Sequence, residues 1–262
     1  MARQRLGQHF LASSKFLERI ALAACGEHVA RVVEIGPGQG ALTRYLLRHS
    51  DKVIAIELDH ELVRHLREAF ADEPRLDVIE GNALDVDWSR WNECVLAGNL
   101  PYYIATAIIS RYVRNPGAVK SAVFLVQKEV AERITASPST REYGYLSVEC
   151  QLLATVEYLF TVAPGAFRPP PKVESAVVRL KPRAAQITPE RFLRFVSACF
   201  RQKRKTLRNN LAGVFPREIL DRKPEEMSLR AEQLSVDALM SLYRGLSAPA
   251  PEPERSPAPH QE

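Results

Sequence analysis

In the first half of the chain, short apolar runs alternate with segments of helical periodicity, and this alternation restricts the fold more than any other feature. The apolar runs predict buried strands at residues 32–35, 53–57, 76–79, 95–98 and 122–126. Residues 41–48 and 61–70, between the first three runs, place their apolar side chains on one helical face. Because strands alternate with helices, the pattern predicts a parallel, doubly wound sheet of the α/β class.

In the rest of the chain, the periodicity and composition of the sequence change twice. Residues 157–162 and 175–180 are further strand candidates around a proline-rich loop, and such a pair can extend the sheet with an antiparallel edge. From residue 188 the periodicity is helical, whereas the C-terminal segment holds five prolines and almost no apolar bulk. We therefore expect a sheet domain, a small α-helical domain and a disordered tail, at residues 1–182, 183–247 and 248–262.

Charge and cysteine spacing limit the partners and the compartment. The chain has 36 Lys and Arg residues against 31 Asp and Glu, a net charge of +5 that is compatible with a polyanionic partner. Residues 94–110 lack charge, but Gly98, Asn99 and Pro101 interrupt them, so we expect no membrane span. The cysteines predict neither a metal site nor disulfides, because they stand far apart at Cys25, Cys94, Cys150 and Cys199.

The N-terminus lacks the long apolar run of a secretory signal, and together with the unpaired cysteines this favours a reduced, cytoplasmic protein. An Arg- and Ser-rich transit peptide is the weaker alternative, because motif residues already begin by Gln8.

A glycine-rich loop follows the first predicted strand and precedes a helix. Gly36 and Gly38 let the backbone approach a ligand where a side chain would collide. Glu57 ends the next strand, 21 residues after Gly36, at the distance where a carboxylate can bind a ribose diol. This pattern fits a dinucleotide and S-adenosylmethionine equally well, and a plain tight turn is a third possibility.

Two neighbouring residues favour S-adenosylmethionine. Glu34 lies two residues before Gly36, where its charge would oppose a pyrophosphate but suit a ligand with an ammonium and a sulfonium. Asn82 follows the strand at residues 76–79, and its amide can both donate to and accept from an adenine edge. The alternative for Asn82 alone is a turn residue.

The segment Asn99-Leu100-Pro101-Tyr102, directly after a predicted strand, suits methylation of an aromatic amine. The adenine amino group is a poor nucleophile because its lone pair is delocalised into the ring. The Asn99 side-chain carbonyl and the Leu100 backbone carbonyl can hold both N–H groups, and Pro101 stiffens the loop. Tyr102 offers a face for an extruded base. An ordinary N-x-P turn is the alternative for the motif on its own.

Phe167 precedes the proline run, which could hold its ring against the opposite face of the same base; a core aromatic is the alternative. A cluster of basic residues follows in the helical domain. On a continuous helix its members would share one face that tracks phosphates, although a solvated surface explains such a cluster too. The predicted RNA-binding residues are Arg201, Arg204, Lys205 and Arg208.

Over roughly residues 3–245 the chain resembles the bacterial small-subunit ribosomal RNA adenine dimethyltransferases. Five motifs in register carry this resemblance: Gln8-His9-Phe10-Leu11, Glu34-Ile35-Gly36-Pro37-Gly38, Asn99-Leu100-Pro101-Tyr102, Phe167-Arg168-Pro169-Pro170-Pro171-Lys172-Val173-Glu174-Ser175 and Arg204-Lys205-Thr206-Leu207-Arg208-Asn209-Asn210. The resemblance implies a Rossmann-like class I methyltransferase sheet with a small α-helical C-terminal domain. It also implies S-adenosylmethionine-dependent N6,N6-dimethylation of two adjacent adenosines in a hairpin loop near the 3′ end of 16S rRNA.

The resemblance also implies a monomer that acts on the immature small subunit, and a set of cofactor contacts. By motif position these contacts are His9, Leu11, Gly36, Glu57, Asn82 and Asn99, to which the loop argument adds Gly38. His9 stands where the family commonly has Asn, and Asn82 where Asp is common, which puts cofactor affinity in question. A packed loop histidine is the alternative for His9.

Three other functions compete with this one. A large-subunit adenine methylase of the resistance type shares the chemistry, but Leu100 and the triple proline favour the small-subunit enzyme. An RNA-binding assembly factor without catalysis would not need the intact Asn99–Tyr102 motif. DNA adenine methylation is the fourth possibility, and the basic helical domain does not exclude it.

Overall fold

A central sheet of seven strands organises the protein, whose computed structural model describes residues 9–247. The expected tail and the motif residue Gln8 lie outside this range. The strands, in chain order, are β1 (Phe10–Leu11), β2 (Val29–Ile35), β3 (Ser50–Glu57), β4 (Leu76–Glu80), β5 (Cys94–Asn99), β6 (Val119–Gln127), β7 (Ala154–Val162), β8 (Phe167–Arg168) and β9 (Ser175–Pro182). All seven predicted strands are confirmed, and each lies within one of the observed strands.

The large sheet has the order β4-β3-β2-β5-β6-β9-β7. Strands β2 to β6 are parallel, and β9 pairs antiparallel with both β6 and β7, so the predicted antiparallel edge is confirmed. Consecutive residues such as Val32 and Val33 point to opposite faces, yet both are fully buried. Helices cover both faces of a parallel sheet, which is why its strands appear in sequence as continuous apolar runs.

Helices connect these strands and form the C-terminal part of the chain. They are α1 (Ser14–Cys25), α2 (Thr43–Leu46), α3 (His60–Ala69), α4 (Ala105–Arg114), α5 (Lys128–Thr135), α6 (Tyr145–Leu153), α7 (Pro189–Cys199), α8 (Leu207–Leu211), α9 (Arg217–Leu220), α10 (Pro224–Ser228) and α11 (Val236–Ser247). Helix α3 agrees with its prediction, and the Asp59 side chain caps it by accepting from the Glu61 N–H. No helix among residues 9–247 has the length and apolar character needed to cross a membrane.

The helix predicted at residues 41–48 is too long. The observed α2 has four residues, because turns replace the helix on both sides. The Tyr45 N–H donates to the Leu42 carbonyl and the Arg48 N–H to the Tyr45 carbonyl, which are three-residue spacings that tighten a helix end. Apolar periodicity therefore identified the buried face correctly, but it did not reveal these tighter turns.

The chain divides into two compact units, the first ending at Gln186 and the second beginning at Ile187. The sequence places this boundary at residue 182, which is the last residue of β9. The second unit contains helices α7 to α11 and has its own aromatic core. The Tyr243 ring lies 5.7 Å from Phe192 and 5.3 Å from Phe195, and Phe195 also contacts Phe215. Aromatic clusters of this kind bury large apolar areas and stabilise small helical units.

Candidate functional site

A cavity of about 940 Å³ opens at the carboxyl ends of the parallel strands. It lies where the strand order reverses between β2 and β5, which is where open α/β sheets bind their ligands. Most of the predicted site residues of the first unit line this cavity. They are His9, Leu11, Gly36, Gly38, Glu57, Asn82, Asn99, Leu100, Pro101 and Tyr102.

The glycine loop after β2 forms one wall of the cavity. Gly36 and Gly38 adopt φ values of +67° and +59°, a left-handed conformation that other residues rarely adopt. A Cβ atom on Gly38 would also lie 2.9 Å from the Phe10 ring. The loop therefore needs these glycines for its own fold, and close approach of a ligand to them stays a prediction.

Glu57, at the end of β3, is tied to the glycine loop. Its Oε2 accepts a hydrogen bond from the Gly38 N–H at 3.1 Å, and its Oε1 accepts from the Leu58 and Asp59 N–H groups at 2.9 and 3.0 Å. A carboxylate offers about four acceptor positions, so these three bonds leave capacity for a ligand hydroxyl. The carboxylate is fixed at the wall of the cavity, as binding of a ribose diol requires.

A second carboxyl group, Glu34, lies on the floor of the cavity and is only 1% exposed. Burial raises its pKa from 4.5 to about 8; the hydrogen bond from the Thr43 hydroxyl, at 2.6 Å, opposes this shift, and the charge of Glu57 adds to it. Burial thus favours the neutral carboxyl, whereas a cation bound beside it would favour the charged form, so the group suits a positively charged ligand.

Asn82 lines the cavity but also shapes its own loop. Its Oδ1 accepts from the Leu84 N–H at 3.0 Å, and its Nδ2 donates to Asp85 at 2.9 Å. These bonds are those of a turn residue, which was the alternative interpretation. A contact with an adenine ring stays a prediction.

The Asn99 side chain is held in one orientation. Its Nδ2 donates to the His9 carbonyl at 3.1 Å, so its Oδ1 is the acceptor that the side chain offers to a ligand. The Leu100 N–H donates to the Leu125 carbonyl on β6, and the Pro101 carbonyl accepts from the first turn of α4. The backbone of the motif is therefore anchored on both sides.

His9 and Tyr102 connect this motif to the proline-rich loop. His9 Nδ1 lies 2.9 Å from the Pro169 carbonyl, and the Tyr102 hydroxyl lies 2.9 Å from Ser175 Oγ. The two rings are 6.0 Å apart. Strands β1 and β8 pair in the same region and bring Leu11 opposite Phe167. Neither two-residue strand was predicted, because so short a pairing leaves no periodicity in the sequence.

Phe167 is the one predicted catalytic residue that the structure does not bring to the cavity. Its ring is 1% exposed and belongs to the apolar core that α1 forms with the sheet. The ring therefore has almost no exposed surface in this structure and does not line the cavity. This burial favours the alternative interpretation of Phe167 as a core aromatic, and the contact with a base stays a prediction.

The basic cluster also differs from its prediction. Residues 201–205 form turns between α7 and α8, so the four basic side chains do not share one helix face. Asn210 holds these turns, because its Nδ2 donates to the Cys199 and Gln202 carbonyls at 2.8 and 3.1 Å. Arg208 lies on α8 and pairs with Asp221 at 2.6 Å.

Arg201, Arg204 and Lys205 are nevertheless exposed on this turn segment of the second unit. The spacing of the basic residues does not reveal this turn, because Asn210, which stabilises it, is not part of the basic pattern.

Two large, exposed hydrophobic side chains on the cavity lining were missed by the sequence analysis. Leu58 is 54% exposed and Tyr103 is 59% exposed, although both are large and apolar. Each directly follows a residue that was predicted, Glu57 and Tyr102. Their position directly after a predicted residue is the feature of the sequence that could have identified them.

Comparison with known proteins agrees with this geometry. Residues 1–246 match the family model described as ribosomal RNA adenine dimethylase. The chain is 44% identical to the ribosomal RNA small subunit methyltransferase A of Acidobacterium capsulatum, over 92% of this chain and 90% of that protein. It is 40% identical to the protein of the same name from Pseudomonas fluorescens, over 97% and 96% of the two chains.

Solved structures are similar as well. A dimethyladenosine transferase from Plasmodium falciparum has a TM-score of 0.78 at 26% identity, covering 89% of this chain and 96% of that one. The 23S rRNA methyltransferase ErmE has a TM-score of 0.72 at 27% identity, covering 91% and 100%. The predicted methyltransferase fold is thereby confirmed. The chain belongs to the ribosomal RNA adenine dimethylase family.

Proposed function

We propose that this protein transfers methyl groups from S-adenosylmethionine to the exocyclic amines of two adjacent adenosines in a hairpin loop near the 3′ end of 16S rRNA. The product is N6,N6-dimethyladenosine. One observation carries the proposal: Asn99 lines the same cavity as the glycine loop, and its amide N–H donates to the His9 carbonyl, which leaves its Oδ1 as the acceptor for a ligand. An acceptor fixed in this way suits an aromatic amine beside a bound methyl donor.

The cavity residues fit S-adenosylmethionine. Buried Glu34 suits the ligand's positive charge, the glycine loop permits close backbone approach, and Glu57 can accept from the ribose hydroxyls. His9, Leu11 and Asn82 complete the proposed binding set. When bound, the cofactor supplies an electrophilic methyl group.

The residues of the motif then prepare the amine. The Asn99 Oδ1 and the Leu100 carbonyl accept the two N–H groups of the adenine and draw its nitrogen towards tetrahedral geometry. Tyr102 stacks on the base, and its hydroxyl bond to Ser175 keeps the ring in place. No general base is needed before methyl transfer, because positive charge develops on nitrogen only as the new bond forms.

The choice of RNA is supported by the relatives. Several proteins named small subunit methyltransferase A are 39–44% identical to this chain, whereas ErmE, which acts on 23S rRNA by its name, is 27% identical. Within the proposal, the enzyme acts as a monomer in the cytoplasm on the immature small subunit. Leu100 and the triple proline favour the same substrate.

Mass analysis of rRNA tests the proposal. A strain that lacks the gene should lose dimethyladenosine from 16S rRNA and retain every modification of 23S rRNA. Purified protein with S-adenosylmethionine should restore both marks on small-subunit particles from that strain. Methylation of 23S rRNA instead would establish the large-subunit alternative, and failure to methylate any RNA would favour the non-catalytic assembly factor.

Glu57→Ala separates cofactor binding from RNA binding. We expect the dissociation constant for S-adenosylmethionine to rise by a factor that corresponds to about 1–3 kcal/mol, because the ribose loses charge-assisted hydrogen bonds. Affinity for RNA should change little. Calorimetric titration with the cofactor measures the first effect, and an unaltered dissociation constant would contradict the assignment. The melting temperature must be recorded too, because the variant also loses three backbone hydrogen bonds.

A double variant tests phosphate binding by the second unit. With Arg204 and Lys205 both changed to Ala, about two counterion-releasing contacts are lost, so the slope of log K against log salt should flatten by roughly 1.5. Affinity should fall for any RNA, whereas the choice of adenine stays the same. Filter binding across a salt series measures both quantities.

A matched control removes two lysines from the opposite end of the parallel sheet. Lys52 and Lys120 stand near the amino ends of β3 and β6, away from the cavity at the carboxyl ends. The Lys52→Ala and Lys120→Ala double variant has the same change in net charge and should keep the wild-type slope. Equal slopes for all three proteins would reject a phosphate-binding role for the turn segment.

A further inference from the structure

The rim of the cavity carries an exposed aromatic ring that the proposed mechanism does not use. Tyr103 lines the cavity and is 59% exposed. Exposed aromatic rings at the edge of a cavity are typical of surfaces that a ligand covers, because burial of the ring is favourable and its hydroxyl can stay in water.

Tyr102 and Tyr103 are consecutive, but the structure assigns them different environments. Tyr102 is half-buried, and its hydroxyl is bonded to Ser175 at 2.9 Å. Tyr103 lies one residue further along the same turn, before α4 begins at Ala105, and faces solvent. A ring anchored inward and a ring exposed at the rim cannot both contact one face of a single base.

Phe167 does not provide a second exposed ring at the cavity. Its ring is 1% exposed, belongs to the core and does not line the cavity. Among the phenylalanine and tyrosine residues that line the cavity, Tyr103 is the exposed one and is available to RNA once Tyr102 holds the target adenine.

We propose that Tyr103 stacks on the nucleotide next to the target adenine, at the mouth of the cavity, and thereby sets the affinity for the RNA loop. This inference rests on the proposed function. A stacking contact made equally in the bound state and in the transition state lowers KM without raising kcat. Tyr103 is therefore a positioning residue for the substrate, whereas Asn99 acts on the reacting amine.

Steady-state kinetics on unmethylated small-subunit particles test the proposal. Tyr103→Ala should raise KM about tenfold, the usual order for one lost base–aromatic stack, with a much smaller change in kcat. Tyr103→Phe keeps the ring and should restore a KM near the wild-type value. The control is Tyr158→Ala, since Tyr158 is 37% exposed on β7 and does not line the cavity. It should keep the wild-type KM.

A fluorescence titration identifies the contacted base. We expect wild-type protein and Tyr103→Phe to quench 2-aminopurine placed beside an adenosine of the pair in an RNA hairpin, and Tyr103→Ala to leave it bright. Equal fluorescence with all three proteins would overturn the inference. So would an unchanged KM for Tyr103→Ala, or a weaker S-adenosylmethionine affinity that accounts for the whole loss. If wild-type protein methylates none of these RNAs, the proposed function itself fails.

Discussion

Asn99→Ala is expected to reduce the rate of methyl transfer by a factor of about 10² or more at saturating S-adenosylmethionine. The physical reason is that an acceptor which holds the amine in its reacting geometry stabilises the transition state more than the bound substrate. A factor of 10² corresponds to about 3 kcal/mol of activation free energy. Single-turnover methylation of small-subunit particles measures this rate separately from product release.

The structure provides a matched control for this variant. The same substitution at exposed Asn115, which follows α4 at the other end of the sheet, should leave the rate unchanged. Because Asn99 also donates to the His9 carbonyl, cofactor binding by Asn99→Ala should be measured and should weaken only modestly. Turnover near the wild-type rate would exclude Asn99 from the chemical step.

Glu34→Gln is expected to stabilise the protein increasingly as the pH rises. Burial raises the pKa of the Glu34 carboxyl from 4.5 to about 8. Below pH 4.5 this group is protonated in both the folded and the unfolded chain, and its contribution to stability is fully present. Between pH 4.5 and about 8 the unfolded chain loses the proton while the folded protein retains it. The wild-type protein therefore loses up to about 5 kcal/mol of unfolding free energy, which the neutral Gln retains.

Urea unfolding of both proteins from about pH 5 to pH 9 measures this effect. The difference in free energy of unfolding should grow through this range and level off above pH 8. The exposed Glu68 on α3 provides the control, since Glu68→Gln should give a flat difference. A flat difference for Glu34→Gln as well would mean that Glu34 is already charged in the folded protein at neutral pH. The same variant should bind S-adenosylmethionine more weakly, because Gln cannot lose a proton and acquire the negative charge that a bound cation favours on Glu34.

The sequence predicted the strands of the sheet well, because strands that are buried on both faces appear as apolar runs. Strands β2, β3 and β5 each contain an apolar run, and residues with predicted roles lie at or beside their carboxyl ends: Glu34 with Gly36, Glu57 and Asn99. Parallel strands bring their carboxyl ends to one edge, so the motif residues had to converge there. The cavity lining confirms this convergence, while the individual roles of its residues stay predictions until the variants are measured.

Other features depended on tertiary contacts that cannot be recognised from the local sequence pattern. Phe167 reads as a loop aromatic, but pairing of β8 with β1 directs its ring into the core, where burial of the ring is favourable. Residues 201–208 have helical spacing, yet Asn210 satisfies the carbonyls of Cys199 and Gln202 and so stabilises turns in place of a helix.

By itself, the sequence determined the α/β class, the strand positions and the residues that meet at the carboxyl edge, because periodicity and chain order are local properties. Only the tertiary structure decided which of those side chains are free to act. It buried Phe167, paired Arg208 with Asp221, left Tyr103 exposed at the rim and removed Glu34 from water. Solvent exposure and hydrogen-bond partners arise from segments distant in sequence, and they set both the availability of a ring and the pKa of a carboxyl.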